Sequence, residues 1–366
     1  MEQHLSSYIE TLSVRSLLTL KRRQLRSSFA VLCIIVAASS SVLAQDEVIR
    51  VDTALVNLEV VVKDRQGQRV RGLAKEAFEV YEDGARQEIT HFVAEERSLR
   101  LVLLFDVSIS MEAVLPTIKQ EAIALVKHLR PDDAINIVSF ASQVEKPSGW
   151  LSRERATEVI RNIVSEPHAQ PVNASIGRPG HRVGDYNTYL YEALRYIFDN
   201  FKADDDRIAV VMFSDGVDTA AGRGVPNIKR RADEIGKELI QRAQESWALV
   251  YPVRFKTEQI IGDLPPAARR PFPSVIRIGS APDDPGRGLF EKIAAASGGE
   301  VFEWTTRQDL MAAVENALED LRSQYAIAYR QPHMSGGKRF RRVKVRVKRA
   351  NLVVRTREGY FPEKRK

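Results

Sequence analysis

Residues 101–112, LVLLFDVSISME, place three oxygen-bearing side chains at alternate positions directly after an apolar run. Asp106 offers a carboxylate, and Ser108 and Ser110 offer hydroxyls. Such hard oxygen ligands suit Mg²⁺, or else Mn²⁺ or Ca²⁺, whereas Zn²⁺ and Cu²⁺ favour nitrogen and sulfur. The pattern therefore predicts a divalent-cation site at the end of a buried strand. The alternative is that these side chains only cap the helix that is expected to follow.

Two more oxygen ligands are expected at the same edge of the sheet. Asp215 follows the apolar run AVVMFS, and Thr188 comes just before a helix in DYNTYLYEAL. Because ligands of open parallel sheets bind at the carboxyl ends of the strands, all five side chains are expected to converge there. An ion held mainly by neutral hydroxyls keeps unmet charge, so an acidic group of a partner would complete its ligand shell.

Strands and helices alternate from residue 99 to residue 324, and this part of the chain has to position the five side chains. The predicted strands are 99–107, 133–141, 206–216, 247–255 and 300–304. The predicted helices are 111–129, 152–164, 189–201, 228–246, 288–299 and 307–324. This alternation predicts an α/β fold with a doubly wound, mostly parallel sheet that is covered on both faces.

Alternating β-branched residues on either side of this region predict two further β segments. Residues 48–97 contain the turn signals RQGQ and EDG, and EDG is expected to join FEVY and QEITHFV in a hairpin. Residues 324–361 show the same alternation. The two segments are expected to pair as a smaller β-sandwich-like domain, with the α/β domain inserted between them.

Residues 1–44 are predicted to be a signal peptide, before an N-terminal β region (45–97), an α/β domain (98–322) and a C-terminal β segment (323–366). The basic stretch KRRQLRSS precedes the apolar stretch FAVLCIIVAASSSVLA, which ends in small residues suited to cleavage. A retained membrane anchor is the alternative. The single cysteine lies in this stretch, so the mature chain would have no disulfide. We expect an exported bacterial protein, either periplasmic or extracellular.

The C-terminal tail is strongly basic, in a chain whose formal net charge is +7. Residues 338–366 carry 13 Lys or Arg and two acids, and alternation puts Arg342, Lys344, Arg346 and Lys348 on one strand face. One interpretation is binding to an anionic surface such as lipid head groups or an acidic polysaccharide. The other is a solvated edge strand guarded by cations. Nucleic acid is not an expected partner, because the segment lacks interleaved surface aromatics.

The stretches DVSIS, NTYLYEAL and FSDGVD, in this order, resemble the three loops of the von Willebrand factor A (VWA) domain with its metal-ion-dependent adhesion site. The resemblance covers roughly residues 98–322. The whole chain is similar to the VWA-related proteins of Acidobacteria, through VKDRQGQRVRGLAKEAFEVYEDGARQEITHF and RFRRVKVRVKRANLVVRTREGYF.

The VWA resemblance also implies roles for individual residues. Ser108, Ser110 and Thr188 would ligate the metal directly, whereas Asp106 and Asp215 would act mostly through waters. The chain departs from the family pattern in two places: the Thr loop lacks the glycine often found just before it, and SDG replaces the commoner TDG. The ligand atoms are kept at both places.

The resulting hypothesis is an exported adhesion or binding module, not an enzyme, that grips an Asp or Glu carboxylate of a protein partner through the metal ion. An envelope scaffold with a purely structural metal is the first alternative. A metal-dependent phosphohydrolase is less favoured, because aspartyl-phosphate enzymes usually carry a second acid two residues on, where this chain has Ser108. The sequence also shows no Ser–His–Asp order and no phosphate-binding glycine loop. The oligomeric state stays open.

Overall fold

Strands and helices alternate through the middle of the chain, and strands flank them on both sides. The computed structural model describes residues 55–94, 98–145, 147–165, 189–201, 208–217, 228–256, 288–331 and 339–362. The strands are β1 (Leu55–Asp64), β2 (Phe78–Glu82), β3 (Ala85–Gln87), β4 (Ile89–Val93), β5 (Arg100–Asp106), β6 (Ala134–Phe140), β7 (Ile208–Ser214), β8 (Leu249–Phe255), β9 (Phe302–Trp304), β10 (Tyr325–Arg330), β11 (Arg341–Val347), β12 (Leu352–Arg355) and β13 (Gly359–Tyr360). The helices are α1 (Leu115–Lys127), α2 (Arg153–Asn162), α3 (Leu190–Asn200), α4 (Ile228–Ser246), α5 (Leu289–Ser297) and α6 (Arg307–Arg322).

A parallel five-stranded sheet in the order β6–β5–β7–β8–β9 forms the centre of the α/β part. One face of the sheet packs against α1, α2 and α6, and the other packs against α3, α4 and α5. All seven residues of β7 are buried, as are six of the seven in β5. Helices on both faces require such continuous apolar strands, so the predicted doubly wound α/β fold is confirmed.

Two antiparallel four-stranded sheets, β12–β1–β10–β4 and β13–β11–β2–β3, form a sandwich beside the α/β part. Strand β1 pairs with β10 from Leu55 opposite Arg330 to Val60 opposite Tyr325, so strands from before and after the α/β part share one sheet. Apolar side chains of both sheets meet in one cluster, where the rings of Phe78 and Tyr325 lie 4.9 Å apart between centroids. The predicted β-sandwich-like part of the fold is therefore confirmed.

The EDG turn joins β2 to β3, but the hairpin is shorter than the sequence predicts. Asp83 and Gly84 both have positive φ, 48° and 86°, as a two-residue hairpin turn requires. Pairing of β2 with β3 ends at Gln87, and the chain then crosses to the other sheet, where β4 pairs with β10. The alternation of side chains continues through this crossing, so the sequence pattern does not reveal it.

Residues 351–361 alternate as a single strand would, but they form two short strands in different sheets. Strand β12 pairs with β1 in one sheet, and β13 pairs with β11 in the other. The buried Arg357 lies between them, where its side chain donates to the carbonyls of Gly359 and Gln244 and lies over the ring of Trp247. This arginine therefore connects the sandwich to the end of α4.

A buried charge network also connects the two parts of the fold. The Asp320 side chain on α6 has no solvent exposure. It forms salt bridges with Lys63 (Nζ–Oδ1 3.2 Å), Arg69 (Nε–Oδ1 2.8 Å) and Arg355. Lys63 also bonds Glu300 at 2.6 Å. Three cations of the sandwich region thus converge on one carboxylate of the α/β part.

No helix in the described part of the chain combines the length and apolar character needed to cross a membrane. The predicted signal peptide, with its alternative of a retained anchor, lies outside the described residues.

Candidate metal site

Two neighbouring strands of the parallel sheet bring Asp106 and Ser214 together at its carboxyl edge. Asp106 is the last residue of β5 and Ser214 the last residue of β7, and the preceding residues Phe105 and Phe213 are register partners. On the other side of β5, the Val107 N–H donates to the Phe140 carbonyl at 2.9 Å. Sheet pairing therefore fixes the backbone on both sides of Asp106.

Hydrogen bonds hold both carboxylate oxygens of Asp106, a residue that is only 1% exposed. Its Oδ1 accepts from the backbone N–H of Ser108 at 3.0 Å and from the Ser108 hydroxyl at 2.5 Å. Its Oδ2 accepts from the Ser214 hydroxyl at 2.7 Å. Asp106 is thus a fixed, buried acceptor that orients the hydroxyls around it.

The hydroxyl oxygens of Ser108 and Ser110 lie 3.1 Å apart, brought together by a 3₁₀ turn over Ile109–Met111. Ser108 is buried and Ser110 is partly buried. Helix α1 begins only at Leu115, and its N-cap residue is Val114, whose apolar side chain cannot accept a hydrogen bond. The alternative that Asp106 and the two serines merely cap this helix is therefore wrong.

The loop that carries Asp215 directly after β7 contains a glycine with positive φ, Gly216. The Val217 N–H donates to Asp215 Oδ1 at 3.0 Å, and the Gly216 N–H donates to the Ser214 hydroxyl at 3.0 Å. Gly216 has φ +86°, and a Cβ at this residue would lie 3.3 Å from the ring of Phe290. Only glycine meets both conditions without strain, so the loop conformation is set by this residue.

The electrostatics at this edge favour a cation. Burial, and after it the negative charge of Asp215, together raise the pKa of Asp106 to about 7, although hydrogen bonds from Ser108 and Ser214 oppose the increase. Two acids that disfavour each other's charge, beside two hydroxyl oxygens, form a set of hard donors. Such a set fits a divalent cation, because the ion would remove the repulsion between the carboxylates.

Hydrogen bonds join three of the five predicted ligands, Asp106, Ser108 and Ser110. Asp215 lies close enough for its charge to act on Asp106, and Thr188 lies outside the described residues. The next residue, Tyr189, donates its N–H to the carbonyl of Ala141, which directly follows β6. Among the described residues, no three His, Cys, Asp or Glu side chains cluster to hold a metal. A metal site at this edge would therefore depend on hydroxyls as well as on the two carboxylates.

Ser214 is a residue of the site that the sequence analysis missed. It is fully buried, and its hydroxyl links Asp106 to the backbone of the Asp215 loop. Its position directly before Asp215 could have identified it. When two parallel neighbouring strands such as β5 and β7 end together, their last residues, here Asp106 and Ser214, lie side by side.

The sequence matches no protein-family model and no curated protein. Similar solved structures include proximal thread matrix protein 1 from the mussel byssus with a zinc-occupied MIDAS motif (14% identity, 62% of this chain and 48% of that chain, TM-score 0.38). Others are a von Willebrand factor type A protein from Catenulispora acidiphila (12%, 85% and 75%, 0.40) and the vWF domain of the type V pili tip protein Mfa5 from Porphyromonas gingivalis (12%, 62% and 95%, 0.40). The chain spans about half the length of the mussel protein.

Proposed function

We propose that this chain is a VWA-type binding or adhesion module that grips an acidic group of a protein partner through a divalent cation. Asp106, Ser108, Ser110, Thr188 and Asp215 would hold the ion, with Mg²⁺ as the first candidate and Mn²⁺ or Ca²⁺ as alternatives. The observation that carries the proposal is the buried Asp106 carboxylate, which faces the charge of Asp215 and is hydrogen-bonded to serine hydroxyls at the strand ends.

The hydrogen bonding of Asp106 supports an indirect role for this carboxylate. Because the Ser108 hydroxyl donates its hydrogen bond to Asp106 Oδ1, the lone pairs of that hydroxyl oxygen are left for an ion. Ser110 lies within hydrogen-bond distance of the same oxygen. An ion bound directly by neutral hydroxyls retains its demand for negative charge, which a carboxylate of a partner would meet.

We assign binding rather than turnover to this site. An aspartyl nucleophile must reach a phosphoryl group, but Asp106 is 1% exposed and accepts hydrogen bonds on both oxygens. This enclosure disfavours the phosphohydrolase alternative.

The proposed location is outside the cytoplasm, on the basis of the basic and apolar stretches within residues 21–44.

Calorimetric titration of the purified protein with Mg²⁺ and Mn²⁺ tests the metal site. We expect one ion per chain, and we expect binding to be lost in Asp106→Ala and Ser108→Ala but kept in Asp132→Ala. Asp132 is the matched control, because it is an exposed aspartate in the turn before β6. Unchanged ion binding in a folded Asp106→Ala variant would refute the site.

A second titration, with a glutamate-containing peptide present, tests the proposed mode of binding. The peptide is expected to tighten Mg²⁺ binding, and an equal peptide with glutamine is not. If Mg²⁺ raises the melting temperature while the acidic peptide changes nothing, the metal is structural and the scaffold alternative holds instead.

A further inference from the structure

The outer face of the sheet β13–β11–β2–β3 carries a row of cations. Arg342, Lys344 and Arg346 are exposed along β11 and alternate with Val343 and Val345, which are buried in the sandwich. We call the exposed side chains of Arg86, Arg342, Lys344 and Arg346 the basic face. The row continues into exposed Lys348 and Arg349 beyond the strand.

Cross-strand pairs organise the basic face around Tyr81. In the sheet register, Tyr81 stands opposite Lys344 on one side and opposite Arg86 on the other. The guanidinium of Arg346 lies 5.2 Å from the centroid of the Tyr81 ring. This contact holds an aromatic ring in the middle of the cations.

Little negative charge opposes these cations. On the outward side of β2, Glu79 accepts from the Tyr81 hydroxyl at 3.1 Å and lies 3.5 Å from Arg86. Arg342 and Lys344 form no salt bridge with any residue that the structure describes. Glu79, which also stands opposite Arg346 in the sheet register, offsets only part of this charge, so the face presents a net positive charge to an anionic ligand.

Protection of a sheet edge does not account for all of these charges. Strand β11 lies between β13 and β2, and Arg342 is exposed although β13 pairs with it there. The edge-strand interpretation therefore fails at Arg342, whereas Lys344 and Arg346 lie beyond the two residues of β11 that pair with β13. Where β11 is already paired with β13, a cation is not needed to protect an edge, so the charge of Arg342 needs another explanation.

The shape of the basic face favours a linear polymer over a bilayer. Alternate residues of a strand repeat about every 6.8 Å, so the row from Arg342 to Lys348 spans roughly 20 Å. Among the described residues, none of the exposed large apolar side chains lies on β2, β3 or β11. Membrane-surface elements usually add such apolar groups to their cations.

We propose that the basic face binds a linear acidic polysaccharide. The arginine forks would pair with its carboxylate or sulfate groups, and Lys344 would add a point charge. This contact needs no metal ion, so it is independent of the proposed cation site.

Binding of the full chain to alginate, a linear polyuronate, tests the proposal, with EDTA present to exclude the cation site. The triple variant Arg342→Gln, Lys344→Gln, Arg346→Gln is expected to bind roughly tenfold more weakly, because three exposed charge contacts are lost. Affinity of the unmodified chain should fall as NaCl is raised.

The matched control is Lys127→Gln, Lys237→Gln, Lys292→Gln, which removes the same charge from exposed positions on α1, α4 and α5. It should bind alginate within about twofold of the unmodified chain, since only the total charge has changed. If both triple variants bind alginate equally weakly, only the net charge of the protein matters for binding, and the proposal is overturned. Tighter binding to phosphatidylglycerol vesicles than to alginate, lost in the first triple variant, would identify a bilayer as the partner and would also overturn it.

Discussion

At the scale of single residues, the candidate metal site depends on which groups donate to Asp106. The carboxylate accepts hydrogen bonds from the hydroxyls of Ser108 and Ser214. Both bonds fix the hydroxyl oxygens, whose lone pairs then point away from Asp106. Ser214 also accepts from the Gly216 N–H, so it connects Asp106 to the loop that carries Asp215. Outer groups of this kind orient the ligands of metal sites.

Replacing Ser214 with alanine should therefore weaken metal binding without unfolding the protein. We expect roughly tenfold lower Mg²⁺ affinity, because Asp106 Oδ2 loses its donor and the Asp215 loop loses its anchor. Calorimetric titration measures the affinity. The control is Ser246→Ala, another fully buried serine, whose hydroxyl donates to the Ala243 carbonyl.

Both serine variants should lose about 1–3 kcal/mol of unfolding free energy, because each buried hydroxyl makes two hydrogen bonds. Only the Ser214 variant should lose metal affinity. If the two variants bind Mg²⁺ equally well, Ser214 does not position the site.

The proximity of Asp106, Ser108 and Ser110 could be predicted, because alternate residues after a strand end fall in one short loop. Ser214 could not be recognised by type alone, since a serine at the end of an apolar run is equally compatible with simple packing. Its role emerges from the register of β5 and β7, which pairs Phe105 with Phe213. Thr188 stays a prediction.

At the scale of elements, the start of α6 is fixed by a capping box. The Thr306 hydroxyl accepts from the Asp309 N–H, and Asp309 accepts from the Thr306 N–H. Asp309 also accepts from the Thr305 hydroxyl at 2.9 Å. The hydrogen bonds that the Asp309 carboxylate accepts from Thr306 and Thr305 lower its pKa from 3.8 to about 2, because they favour the charged form.

The contribution of this cap should depend on pH. A carboxylate whose pKa is lower in the folded state than in the unfolded state stabilises the fold at pH values above its unfolded pKa. This stabilisation is lost as the pH falls through the folded pKa. We therefore expect Asp309→Ala to lower the urea midpoint at pH 6, and the difference from the unmodified protein to shrink between pH 3.8 and about 2. Asp132→Ala should differ little at any pH, and a constant deficit in Asp309→Ala would exclude the charged cap.

Periodicity identified the strands but not the sheets they join. The stretch after Asn351 alternates as one strand would, yet β12 and β13 belong to different sheets. Alternation with a period of two shows which side chains face the core and which face solvent. A chain that crosses from one sheet of the sandwich to the other keeps this alternation, so the pattern does not show which sheet a strand joins. Pairing partners far along the chain decide the outcome.

At the scale of the whole molecule, the network around Asp320 joins the sandwich to the α/β part. Asp320→Asn should lower the unfolding free energy by about 3–5 kcal/mol, because cations gathered around a buried carboxylate lose their counter-charge. Chemical denaturation measures the change. Glu319→Gln is the control, since Glu319 bonds Arg69 at 3.0 Å from a side chain that is 59% exposed, and it should cost less than about 1 kcal/mol.

An Asp320→Asn variant as stable as the control would show that the network is not needed to join the two parts. This network could not be predicted from the sequence. Lys63, Asp320 and Arg355 come from distant stretches, each of which has the composition of an ordinary charged surface.

The pairing of β1 with β10 has a consequence for the order of events during synthesis. Strands β1 to β4 leave the ribosome long before β10 to β13. Their apolar faces and unpaired backbone edges therefore stay exposed until β10 to β13 have been made. The α/β part needs no such delay, because its neighbouring strands and helices follow one another closely along the chain. Exposed strands of this kind are prone to aggregate. The nascent chain is therefore most vulnerable after its centre has formed and before its final strands arrive.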